Sequence, residues 1–124
     1  MGNDYENIVM IHALVPNILS EIITHLKTTY NYEYYGKVKI LNTYKTAFEF
    51  SIITKNHPFV ELEEIFKKYE NQIFIKNLWT DKEDGFSGIE IFDSKRGGHN
   101  TFLWFQPADI YINQIPTSWN SINY

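Results

Sequence analysis

The 124-residue chain contains no cysteine and a single arginine, Arg96. Without cysteine there can be no disulfide, no thiol catalysis and no cysteine-based metal site. Recognition of duplex nucleic acid relies heavily on arginine, whose side chain makes bidentate hydrogen bonds to bases and phosphates. Because this chain also has a net charge of −4, we do not expect it to bind nucleic acid directly.

Long apolar runs are also missing. No stretch approaches the roughly 20 apolar residues that cross a membrane. The residues before the first apolar run are acidic, whereas a secretory signal starts with a basic leader. We therefore expect a cytoplasmic protein with no membrane segment.

Aromatic residues, by contrast, are abundant: nine Tyr, nine Phe and three Trp. Residues 30–35 alone hold four tyrosines. Such side chains serve both as core residues and as anchors at protein interfaces. Tyr30 falls on the apolar stripe of the first predicted helix, so we interpret it as structural. Tyr34 and Tyr35, and Trp119 in the apolar tail, are candidates for contact with a partner.

The pattern of apolar residues predicts an α+β fold. Residues 8–14 indicate a strand, and residues 16–29 an amphipathic helix with Pro16 at its first position. Further strands are predicted over residues 37–42, 46–54, 72–80, 86–93 and 101–106, with a second helix opening at His57 and Pro58. This order favours two helices on one face of an antiparallel sheet, with ferredoxin-like split βαβ topology and extra C-terminal strands. We expect one domain over residues 1–124, including a C-terminal extension over 107–124.

Four segments between residues 30 and 93 resemble the YubB-like ferredoxin-like domain of plasmid and phage proteins. They are "YYGKVK", "FEFSIITKNHP", "LEEIFKKYE" and "GFSGIEIFD". The resemblance implies a ferredoxin-like fold and a mobile-element setting. It implies no particular activity, because that family has no firmly assigned one.

Two loops carry the remaining chemistry. "SKRGGHN" offers Lys95, Arg96 and His99 beside two glycines, an arrangement that can bind an anion. "DKEDG" brings together three carboxylates, those of Asp81, Glu83 and Asp84, which could face a basic partner. The four histidines lack the spacing of metal ligands. We predict no metal, cofactor or catalytic residue.

We interpret the chain as a small non-enzymatic binding protein from a phage or mobile element. It would inhibit a bacterial defence effector, such as a nuclease or CRISPR effector, in the manner of an anti-CRISPR protein. The expected contacts are Tyr34, Tyr35, the acidic loop and Trp119. Three alternatives stay open: an immunity protein that neutralises a toxin, a nucleotide-signal hydrolase using His99 and Arg96, and a single-strand binder.

Overall fold

A computed structural model describes residues 3–30, 36–69 and 71–93 in full, and the backbone of residues 98–104. In these parts the chain forms six strands and two helices. In chain order they are β1 (Asp4–Ala13), α1 (Pro16–Thr29), β2 (Lys39–Thr43), β3 (Ala47–Lys55), α2 (Leu62–Lys68), β4 (Ile73–Asp81), β5 (Ser87–Asp93) and β6 (Gly98–Trp104).

The six strands form one antiparallel sheet in the order β2-β3-β1-β4-β5-β6. Helix α1 connects β1 to β2, and α2 connects β3 to β4. The predicted α+β class and antiparallel sheet are therefore confirmed. Among the described residues, no helix has both the length and the apolar content needed to cross a membrane.

The core lies between the two helices and one face of the sheet. Strand β1 occupies the centre, and alternate residues of it are buried, as a period of two requires. Val9 pairs with Phe50 of β3, and Ile11 pairs with Phe48 of β3 and Ile75 of β4, so these side chains share one face. Buried residues of both helices belong to the same cluster: Ile18, Leu19, Ile22, Leu26, Leu62, Ile65 and Phe66.

Helix α1 has the predicted bounds. Pro16 stands at its start, where a missing N–H costs nothing, and the apolar stripe of the helix is buried. The helix ends at Thr29, and the main-chain N–H of Tyr30 still donates to the Leu26 carbonyl at 2.9 Å. Local sequence signals were thus sufficient to predict the bounds of this element.

Helix α2 is shorter than predicted. It begins at Leu62, and His57 and Pro58 lie in a bend before it. The reason is a distant contact: the main-chain N–H of Phe59 donates to the side-chain oxygen of Asn7 at 3.0 Å. This bond fixes Phe59 before the helix, where the N–H of Leu62 donates to the Phe59 carbonyl at 3.3 Å in a tight turn. The prediction that His57 opens the helix is therefore wrong.

The last strand also differs from its prediction. The sequence placed residues 94–100 in a turn, whereas β6 begins at Gly98 and pairs along the whole of β5. His99 consequently lies in a strand, opposite Phe92.

Candidate functional site

The turn between β4 and β5 is built around Asp81. This residue ends β4, and its side chain is buried, with 2% of its surface exposed. Its main-chain N–H donates to the Phe86 carbonyl at 2.7 Å, and its own carbonyl accepts a hydrogen bond from the main-chain N–H of Gly85 at 2.9 Å. Gly85 has a φ of +78°, a conformation that glycine adopts at little cost. We refer to residues 81–85 as the acidic turn.

The Asp81 carboxylate is the hub of this turn. Oδ1 accepts the main-chain N–H groups of Glu83 at 3.0 Å and Asp84 at 3.1 Å. The side-chain amide of Asn3 donates to Oδ2 at 2.9 Å and to Oδ1 at 3.1 Å. Hydrogen bonds to an ionised carboxylate are stronger than neutral ones. The hub therefore joins the turn to the beginning of the chain, 78 residues away.

The hydrogen bonds also determine the protonation of Asp81. Burial alone would raise its pKa, but the bonds from Asn3, from the main chain of Asp84 and Glu83, and from Tyr5 outweigh burial and lower the pKa below its ordinary value. The pKa of the Tyr5 phenol is raised, chiefly by burial and next by the negative charge of Asp81. Asp81 is thus ionised throughout the neutral range.

The two exposed carboxylates of the turn are held in place. Glu83 Oε2 accepts the main-chain N–H of Asp4 at 2.8 Å, and Asp84 Oδ2 accepts the side-chain amide of Asn3 at 2.6 Å. Lys82 continues the β1 pairing by donating its N–H to the Asp4 carbonyl at 2.9 Å. The turn consequently presents two negative charges to solvent in a defined arrangement.

This arrangement does not resemble a cation site. The oxygens of Asp81 are already occupied by N–H donors, which a coordinated metal ion would have to displace. Within the described ranges, no group of three or more His, Asp or Glu side chains could hold a metal ion. The described carboxylates of the acidic turn therefore present surface charge without a metal-binding group.

The other predicted contact residues are not all described. Tyr34, Tyr35, Lys95, Arg96 and Trp119 lie outside the described residues, and only the backbone of His99 is described. Their predicted roles in partner and anion binding stay predictions.

The chain around the tyrosine-rich segment can still be placed. The Tyr30 carbonyl accepts the N–H of Val38 at 3.0 Å, and the N–H of Gly36 donates to Ile53 of β3 at 3.0 Å. Gly36 has a positive φ of +77°, a conformation that glycine adopts at little cost. Because Ile53 pairs with Glu6 near the start of β1, Gly36 lies at the end of the sheet that carries the acidic turn.

A pair of buried asparagines supports this end of the sheet and was not identified from the sequence. The Asn7 side chain donates to the Ile52 carbonyl at 3.1 Å and to Thr54 Oγ1 at 3.0 Å. Its oxygen accepts from Phe59 and, at 3.1 Å, from the Asn77 side chain. Buried polar groups need such partners. The sequence signal was a polar residue in phase with the buried residues of its strand, Asn7 in β1 and Asn77 in β4.

Trp79 packs against a glycine on the neighbouring strand. It pairs with Gly88 of β5, and a Cβ atom placed on Gly88 would lie 2.5 Å from Cε2 of the indole. The ring also makes an edge contact with Tyr5, with centroids 5.7 Å apart. Glycine is therefore required by the close approach of the indole, and the tryptophan connects the β4–β5 hairpin to Tyr5 beside Asp81.

Comparison with protein-family models, curated proteins and solved structures found no match to the chain. The resemblance to the YubB-like domain stays a prediction.

Proposed function

We propose that the protein is a small cytoplasmic, non-enzymatic inhibitor that binds a basic protein surface through the acidic turn. The observation that carries this proposal is the fixed pair of exposed carboxylates of Glu83 and Asp84, supported by the buried Asp81. Charges that are ordered before binding lose little conformational entropy on association. Complementary charge also accelerates the encounter with a partner of opposite sign.

A negatively charged surface of this kind is suited to binding a partner protein that itself binds nucleic acid. Nucleases and CRISPR effectors hold their substrates in positively charged channels, which a negatively charged protein can occupy. We therefore propose an anti-CRISPR-like role in a phage or mobile element. Tyr34, Tyr35 and Trp119 are proposed as further contacts of the same partner.

The proposal includes a ferredoxin-like arrangement of the first four strands. The order β4-β1-β3-β2, with α1 and α2 as the crossover connections, supports it, as does the YubB-like resemblance. Strands β5 and β6 extend the sheet beyond β4, and the β4–β5 hairpin carries the acidic turn.

Affinity capture from the native host, followed by mass spectrometry, tests the function. Three baits are compared: the unchanged protein, the double variant Glu83→Gln/Asp84→Asn, and the control Glu21→Gln/Glu63→Gln. Both double variants lose two exposed negative charges, and Gln and Asn keep the oxygen that accepts the hydrogen bonds of the turn. We expect a stoichiometric nucleic-acid-processing partner with the unchanged protein and the control, and at least about a tenfold loss with the turn variant.

Two results would contradict the proposal: no stoichiometric partner for any bait, or equal recovery by the turn variant. If capture instead recovers a toxin, the immunity function would replace the anti-defence function. A toxin gene directly upstream would point the same way, whereas neighbouring phage genes favour anti-defence.

A further inference from the structure

A groove runs between the two helices on the side of the fold away from the sheet. Its floor contains the buried side chains of Ile22 and Ile65, and its walls include the half-buried rings of Tyr30 and Tyr69. The volume is about 200 Å³, smaller than the roughly 300–1,000 Å³ typical of pockets for drug-sized ligands. The groove therefore has room for one long side chain rather than for a large ligand.

Tyr30 forms one wall of the groove. Its ring makes an edge contact with Phe59, with centroids 5.1 Å apart. Burial, followed by the charges of Glu61 and Glu64, raises the pKa of Tyr30 to about 12. The phenol is therefore neutral at physiological pH, and its ring stays available as an aromatic surface next to two carboxylates.

Those two carboxylates are the unusual feature of the groove. Glu61 and Glu64 are three residues apart, so they project from neighbouring positions at the start of α2. In the part of the chain that the structure describes, neither forms a salt bridge, whereas the adjacent Glu63 pairs with Lys67 at 3.2 Å. Within the described ranges, the groove thus combines an apolar floor with two carboxylates that form no salt bridge.

The opposite end of the groove shows how a cation fits against its aromatic wall. The ammonium group of Lys68 lies 5.4 Å from the centroid of the Tyr69 ring, within the range of a cation–π contact. His25 lies at the rim of the groove, and its Nδ1 is 3.4 Å from Oγ1 of Thr29 in the same helix. Among the described residues, no cation–π contact is made to Tyr30, although that end of the groove carries the carboxylates.

We propose that this groove binds an arginine side chain of a protein partner. The methylene stem would cover the apolar floor, and the guanidinium plane would stack on Tyr30 while donating to Glu61 and Glu64. Arginine suits the site because its charged group stacks on aromatic rings and presents several donors in one plane, and its stem readily covers apolar surface. The site is separate from the acidic turn, and it would exist even if that turn bound no partner.

Titration with Nα-acetyl-arginine amide, followed by ¹H–¹³C NMR, tests the proposal on the unchanged protein. We expect saturable shifts at the Ile22 and Ile65 methyl groups. The citrulline counterpart, which has the same shape without the charge, should cause at least fivefold smaller shifts at equal concentration. Glu61→Gln/Glu64→Gln should weaken arginine binding at least fivefold, and Glu63→Gln, on the outer side of the same helix, should leave it unchanged.

The proposal is overturned if the arginine probe produces no saturable shifts at these methyl groups. It is also overturned if citrulline binds equally well, or if the two groove glutamates can be neutralised without loss of binding. Because the probe and the variants do not involve the acidic turn, failure here leaves the proposed function intact, and failure of the turn leaves this site intact.

Discussion

Replacing Asp81 should loosen the acidic turn and destabilise the protein. Asp81→Ala removes the acceptor of hydrogen bonds from Asn3, Tyr5 and the main chain of Glu83 and Asp84. Hydrogen bonds to a charged group contribute about 1.5–3 kcal/mol each when buried. The donors in the exposed turn can rebind water, so we expect a total loss of about 2–4 kcal/mol in the free energy of unfolding.

The pKa of Asp81 adds a dependence on pH. Because folding lowers this pKa, the folded state favours the ionised carboxylate, and that contribution is present above the ordinary value of 3.8. It is lost as the pH falls through the lower pKa of the folded protein. The stability difference between the unchanged protein and Asp81→Ala should therefore be constant near neutral pH and should narrow below about pH 4.

Urea unfolding followed by tryptophan fluorescence measures both effects. Asp81→Asn should cost less than Asp81→Ala, because it keeps one oxygen for the two main-chain donors. Glu83→Ala is the control within the same turn, since it removes a single hydrogen bond at an exposed position, and it should cost under about 1 kcal/mol. A loss below about 0.5 kcal/mol for Asp81→Ala, or equal losses for the two alanine variants, would refute the role of Asp81 as the hub.

Three further predictions concern the supporting structure. Gly88→Ala should cost about 1–3 kcal/mol through overlap with the Trp79 indole, and the cost measured by urea unfolding should fall in a Trp79→Leu background. Asn7→Ala should cost about 2–4 kcal/mol, because it leaves the buried main-chain N–H of Phe59 without its acceptor and removes the shorter of the two hydrogen bonds that the Asn77 amide donates. The pKa of Tyr30, measured by ¹³C NMR of the ring, should fall in Glu64→Gln. Since folding raises the pKa of Tyr30 from 10.0 to about 12, its contribution to stability should be lost as the pH rises through that interval.

For each of these three predictions, one result would contradict the physical reason given for it. An equal cost of Gly88→Ala in both backgrounds would mean that the indole is not what requires glycine. A loss under about 0.5 kcal/mol for Asn7→Ala would mean that the buried network contributes little. An unchanged pKa of Tyr30 in Glu64→Gln would mean that the glutamate does not act on the phenol.

The elements that could be predicted from the sequence are those determined locally. Helix α1 combines an apolar stripe with Pro16 at its first position, and both signals lie inside the element. Helix α2 was placed too early because its approach depends on Asn7, which is 52 residues away. Strand β1 was placed too late because its first residues are polar. They join the sheet by pairing with Lys55 and Asp81 on either side.

The candidate site also has one part that the sequence predicted and another part that depends on residues far apart in the sequence. The composition of "DKEDG" showed that carboxylates come together there, and the structure places Glu83 and Asp84 at the surface. The sequence did not show that Asp81 would be buried, because the hydrogen bonds that hold its carboxylate include those from Asn3, which is 78 residues away in the sequence. The groove between the helices was missed for a similar reason: Glu61 and Glu64 face Tyr30 only once α1 and α2 pack side by side.

A competition experiment tests most directly the claim that the acidic turn inhibits a nucleic-acid-processing partner. The captured partner is mixed with its labelled nucleic acid, and increasing amounts of the protein are added. We predict that the unchanged protein and Glu21→Gln/Glu63→Gln displace the nucleic acid at similar concentrations, and that Glu83→Gln/Asp84→Asn needs at least about tenfold more. Simultaneous binding of protein and nucleic acid, or equal displacement by all three proteins, would contradict that claim.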